Sequence, residues 1–194
     1  MSARPSADRP LRADAQRNRD RLVAVARAAF AAADVNVPLE TVARDAGVGI
    51  GTLYRHFPTR EALVGAVYAA ELDDLTASAA PLLDEFPPEV ALRAWMGRYA
   101  AFVATKRGMI DTLRAGWSSG RIAAPTTRER ITGAFATFLA AGRDTGSLRT
   151  DVSPDDVTAL VLGVFLSTAA DSAGEQTGRL LDLVVDSLRP VVRS

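Results

Sequence analysis

Apolar residues recur at helical spacing along almost the whole chain, and prolines and glycines interrupt them at short intervals. This pattern constrains the fold most. A period near 3.6 buries one stripe of a helix, whereas a half-buried strand alternates, and no segment here does so convincingly. Leu22, Ala26, Ala29, Phe30 and Ala33 share one helix face, which "DVNVP" ends. Leu39, Val42, Ala43 and Ala46 repeat the pattern, and Gly47 stands where a left-handed residue closes a helix. Thr59 offers an N-cap for a longer helix through about Ala80, and "FPPEV" breaks the chain before a helix from Glu89 to about Thr105. A shorter helix runs from Met109 toward Trp117 and stops at "SSG".

Two later helix starts are explicit. Thr126 and Glu129 have the spacing of a capping box, opening a helix through about Gly142. Ser153, Pro154, Asp155 and Asp156 supply an N-cap, a first-turn proline and acids at the positive end of the helix dipole. The segment they open, "DDVTALVLGVFLSTAA", is apolar on nearly every face, which predicts burial all round. The last helix carries Leu181, Val184, Val185 and Leu188 on one stripe and ends near Pro190. The reading is an all-α chain of about nine helices, a head of three short ones followed by a larger bundle.

Composition removes several functions. With 194 residues, 48% of them hydrophobic, the chain has material for one domain of ordinary size or two small ones. The lack of cysteine excludes disulfides, thiol nucleophiles and zinc sites built on sulfur. The single histidine, His56, cannot make a His-rich metal site, so neither a metal nor another cofactor is expected. No run approaches the ~18 apolar residues of a spanning helix. The polar, basic opening "MSARPSADRPLRADAQRNRD" lacks the apolar core of a secretory signal. A cytoplasmic protein with no membrane partner is expected. The formal net charge of zero conceals a split. Up to Arg60 there are ten arginines against six acids, and from Glu61 onward thirteen basic residues against seventeen acids. Only the front of the chain is suited to meet a polyanion.

The stretch "VPLETVARDAGVGIGTLYRHFPTREAL", Val37 to Leu63, concentrates the functional signal. Its glycines follow a helix and lack both the dinucleotide fingerprint and a Gly-Lys-Ser/Thr, so it is no phosphate loop. His56 has no serine placed locally as a nucleophile, and its plainest role is a single hydrogen bond at the surface or half-buried. Two short helices, Leu39–Ala46 and Ile50–Phe57, joined by a glycine turn fit a helix-turn-helix, with a plain helical hairpin as the alternative. Val48, Leu53 and Phe57 would pin the second helix onto the first, with Gly49 as its N-cap. Gly51, Thr52, Tyr54, Arg55 and His56 are left over, small or able to donate to a polyanion.

Within that stretch, "AGVGIGTLYRHFPTREAL" closely resembles the signature of the tetracycline-repressor (TetR) family of bacterial transcriptional regulators, roughly A-G-V-S-x-G-T-L-Y-x-H-F-x-x-K-E-x-L. Gly49 stands where serine is common, and Arg60 where lysine is common. The resemblance implies that Thr52 and Tyr54 contact DNA, Tyr54 chiefly through phosphate. It further implies that His56 hydrogen-bonds the backbone and that Arg60 clamps a phosphate. Ile50, Gly51 and Arg55 match the variable, base-facing positions. The helical wheel leaves Ile50 open, because it shares a face with Leu53 and Phe57. Arg55 is the one residue there able to make a bidentate contact to guanine.

The chain then divides into a flexible arginine-rich tail (1–15), a helix-turn-helix DNA-binding domain (16–62) and an effector-binding and dimerisation domain (63–194). The tail's Arg4, Arg9 and Arg12, with Arg17 and Arg19 beyond it, belong either to a solvated leader or to an arm that reaches the duplex. The family pairs its last two long helices with their twins. Leu160, Val161, Val164 and Phe165, with Leu181, Val184, Val185 and Leu188, are the expected dimer contacts. Trp95, Met96, Tyr99, Phe102, Met109, Trp117, Phe135 and Phe138 are either ordinary core or the wall of an apolar effector pocket. The expectation is a homodimeric, ligand-responsive regulator, most simply a repressor, that binds a palindromic double-stranded operator and is released by a small apolar effector. A DNA-binding architectural protein without effector, and a helical enzyme or small-molecule carrier, are the alternatives.

Overall fold

The computed structural model describes residues 8–32, 37–107, 109–120, 126–168 and 173–190. Ala33 and Arg4 therefore lie outside the described residues, as does the side chain of Trp117. Ten α-helical segments and no strand are found among the described residues. The chain divides into two compact units, one of residues 1–70 with 105–124, the other of residues 71–104 with 125–194. The division expected at residue 62/63 differs, because the first turns of the fourth helix and the segment around residue 110 cluster with the head.

The first unit is built on α1 (Asp8–Ala32), α2 (Leu39–Asp45) and α3 (Ile50–His56). Residues 8–15, expected as flexible tail, are the first turns of α1. Leu22 and Ala26 of this helix are fully buried. The turn after α2 is a Schellman motif. Val48 N–H donates to the Ala43 carbonyl at 3.0 Å and Gly47 N–H to that of Arg44 at 3.0 Å, while Gly47 takes a φ of 67°. Gly49 then caps α3 in extended conformation. Leu53 and Phe57 bury against α1 and α2, as the alternation of faces required.

α4 (Arg60–Ala77) starts on the Thr59 hydroxyl, which accepts from Ala62 N–H at 3.2 Å. It ends at Ala77 rather than near Ala80, and a separate α5 (Ala79–Glu85) follows the break at Ser78. Pro81 accounts for the break: its ring has no N–H to give the Ala77 carbonyl and would clash with it. The expected count of about nine helices treated these two as one. α6 (Pro88–Arg107) starts at the second proline of "FPPEV", the position where a missing N–H costs nothing. α7 (Ile110–Ser118) stops before Gly120, which adopts a φ of 67°.

The second unit contains α5, most of α6, α8 (Thr127–Thr145), α9 (Pro154–Ser167) and α10 (Ala173–Ser187). Two local expectations for α8 are corrected. Thr126 is the N-cap but makes no side-chain cap bond, because its ψ of 42° is not the extended conformation that aims a hydroxyl at the third N–H. The helix also passes through Gly142 and closes at Gly146, whose φ is 70°. Gly142 is glycine for another reason: a Cβ there would lie 2.7 Å from the Leu148 Cβ. The α9 start is as expected, with Ser153 and Asp156 forming a reciprocal capping box and Pro154 in the first turn. No described helix is long and apolar enough to cross a membrane.

Candidate nucleic-acid interface

The short helix α3 owes its position to two anchors and its exposed surface to the residues between them. Leu53 and Phe57, one turn apart, are buried, which turns Gly51, Tyr54 and Arg55 outward. Thr52 and His56 flank that surface, both half-buried. Ile50, left open by the wheel, is 38% exposed at the first position of α3, on the side of Leu53, and Tyr54 is 45% exposed. All seven residues expected to meet DNA therefore lie on α3 or at the start of α4 in one unit. The outward face carries a phenol and a guanidinium beside a glycine, with no acid on α3.

Arg60 is more engaged than a free clamp would be. Its Nη1 donates to the Val37 carbonyl at 2.7 Å, and its guanidinium lies 5.7 Å from the Phe30 ring centroid. It therefore ties the start of α4 to the segment before α2 and to the end of α1. A second arginine borders the same helix. The Arg19 guanidinium of α1 lies over the Phe57 ring at 5.1 Å, beside the C-terminal end of α3. Cation–ring pairs at this distance are favourable by about 0.5–1 kcal/mol when exposed. The sequence sets Arg19 among the front arginines, either in a solvated leader or in an arm that reaches the duplex. Its neighbour Phe57 carried no signal of that contact, because the pairing spans two helices.

The residues expected to line an effector pocket separate into two groups. Trp95, Met96, Tyr99 and Phe102 on α6, with Phe135 and Phe138 on α8, are all buried in the second unit. Trp95 contacts Phe135 at 5.1 Å between centroids, Phe138 at 5.6 Å and Tyr99 at 5.7 Å, while Tyr99 meets Phe165 edge-on at 4.9 Å. The Trp95 indole N–H donates to the Leu75 carbonyl at 2.9 Å, which satisfies its one buried polar atom. Met109 is buried too, but belongs to the first unit.

The expected dimer contacts need a correction. Val161, Val164, Phe165, Leu181, Val184, Val185 and Leu188 are buried inside a single chain, because α9 and α10 pack their apolar stripes inward. Of the expected set, only Leu160 faces outward, at 49% exposure. The exposed apolar residues of these helices are Leu160, Leu166 at 71% and Leu183 at 62%, with Ala159 and Gly163 beside them on α9. α9 is thus not buried all round within one chain. The signal was present in α10, where Leu183 stands off the stripe of its neighbours.

Two family patterns match. Residues 22–67 match bacterial regulatory proteins of the TetR family, and residues 87–190 match the C-terminal domain of SbtR-like transcriptional regulators. A TetR transcriptional regulator from Streptomyces coelicolor is 41% identical with a TM-score of 0.79, over 90% of this chain and 99% of that one. A TetR transcription regulatory protein from Mycobacterium vanbaalenii is 35% identical with a TM-score of 0.72, over 93% of this chain and all of that one (100%). An HTH-type transcriptional regulator of Staphylococcus aureus is 38% identical over 64 residues, 32% of this chain; the match spans about a third (35%) of that relative's length.

Proposed function

Because this chain belongs to the TetR family of bacterial transcriptional regulators, we propose that it is a ligand-responsive repressor that binds a palindromic operator as a homodimer. In this reading α3 of each protomer enters the major groove of one half-site. Arg55 and Ile50 face base edges, Gly51 lets the backbone approach, and Thr52, Tyr54, His56 and Arg60 address phosphates. What carries the reading is the exposed set of α3, polar or small at every position except Ile50 and held by the buried Leu53 and Phe57. A face with one guanidinium and no acid favours modest base readout supplemented by phosphate contacts and DNA shape.

The second unit is the proposed effector and dimerisation module. A dimer matches a two-fold operator, and the outward Leu160, Leu166 and Leu183 are its proposed contacts. The aromatic cluster around Trp95 is the proposed wall of an apolar effector site, which would form as those rings part. Linkage requires that such an effector bind the DNA-free arrangement more tightly than the DNA-bound one.

Selection from a random-sequence duplex pool tests the central claim. The purified protein should enrich a two-fold symmetric motif, and a non-operator duplex should bind far more weakly at the same salt. Enrichment of nothing beyond bulk DNA would remove the operator reading.

A further inference from the structure

We propose that Arg19 of α1 is part of the DNA interface, a phosphate contact outside the helix-turn-helix itself. The inference rests on the reading of α3 as the DNA-facing helix and extends that surface onto a neighbouring element. Arg19 is exposed, and its guanidinium lies over the ring of Phe57, the residue that immediately follows the last residue of α3. Its partner is thus an aromatic face rather than a carboxylate.

The acids closest in sequence are otherwise engaged. Asp14 pairs with Arg17, and Asp20 accepts from the Gln16 amide at 2.7 Å. Neither carboxylate is thus paired with Arg19, whose guanidinium contacts the Phe57 ring instead. A guanidinium held over a ring is attracted to it without a carboxylate or carbonyl acceptor, so N–H donors are left for a phosphate. The ring also restrains a long side chain in advance, which lowers the entropy lost when the phosphate is bound. Arg60 spends one of its donors on the Val37 carbonyl, so the duplex near the end of α3 gains from a second cation beside Phe57.

Two variants separate this role from a purely structural one. Arg19→Gln keeps a stem over Phe57 and loses the charge, whereas Arg19→Lys keeps the charge and loses the planar fork. The probe is the duplex enriched by the wild-type protein, titrated across a salt series, with melting temperature recorded for each variant. Arg19→Gln should bind about tenfold more weakly, as loss of one charged hydrogen bond implies. Its plot of log affinity against log salt should flatten by about one unit. Arg19→Lys should keep the wild-type slope, and both variants should melt near the wild-type temperature. If Arg19→Gln keeps the wild-type slope, whether or not it melts lower, Arg19 only packs on Phe57 and the inference is overturned. If the wild-type protein enriches no duplex, the reading of α3 falls and this inference falls with it.

Discussion

Arg55, near the end of α3, and Arg60, at the start of α4, differ in what surrounds them. Arg55 is exposed and projects from the outward face of α3, whereas Arg60 is half-buried and bonded to Val37. Loss of Arg55 should therefore act on sequence discrimination alone. Arg55→Ala is expected to cost about 1–3 kcal/mol at one base pair of the half-site and to leave binding to random duplex nearly unchanged. Competition against a set of single base-pair variants measures this. Equal weakening on every duplex would make Arg55 one more phosphate contact. Removal of Arg60 mixes two effects, since the tie between the start of α4 and Val37 goes with the charge.

At the scale of one element, α9 shows how local chemistry fixes a helix start. The Ser153 hydroxyl accepts from Asp156 N–H at 3.1 Å and donates to the Asp156 carboxylate at 2.7 Å, while that carboxylate also accepts from Ser153 N–H at 3.3 Å. These bonds, the side-chain one foremost, hold the Asp156 carboxyl below the usual carboxylate range. A carboxylate whose folded value is depressed adds stability that is complete above its unfolded value, about 3.9 for Asp, and is lost as pH falls through the folded value. Ser153→Ala should lower stability by about 1 kcal/mol at neutral pH. The gap to wild type should narrow in acid below that range. Denaturant unfolding of both proteins across pH 2–7 checks it, and a gap that does not change with pH would contradict this account of the cap.

Assembly belongs to the scale of the whole molecule, where burial inside the chain limits which side chains of α9 and α10 are left for the proposed dimer. Val161 and Phe165 are spent on the inner core, and Leu160, Leu166 and Leu183 are left outside it. Leu160→Arg combined with Leu183→Arg should give a monomer with the wild-type helix content and weakened operator binding. Val161→Arg or Phe165→Arg should instead unfold the second unit, because a charge there has no partner. Sedimentation equilibrium with circular dichroism distinguishes the two outcomes. A Leu160/Leu183 double variant that remains a dimer would place the interface elsewhere.

Local physics made much of this protein legible in its sequence. The helical period marked most of the elements, Gly47 closed α2, the Ser153 box opened α9, and the order of residues from Ile50 to Phe57 marked which side of α3 is anchored. Each of these depends on residues within about two turns of one another, so neighbours in sequence suffice to specify them. Where that range was exceeded, tertiary structure decided. Even inside it, backbone geometry settled two details: Thr126 was spaced for a capping box that its backbone angle does not allow, and Gly142 is held to glycine by Leu148, six residues on. The bond from Arg60 to Val37 and the stacking of Arg19 on Phe57 join residues from different elements. An apolar stripe announces that a helix face is buried, but not against what. That is why Val161 and Leu160, adjacent on one apolar helix, look alike in sequence and part company only when α9 packs in the folded chain.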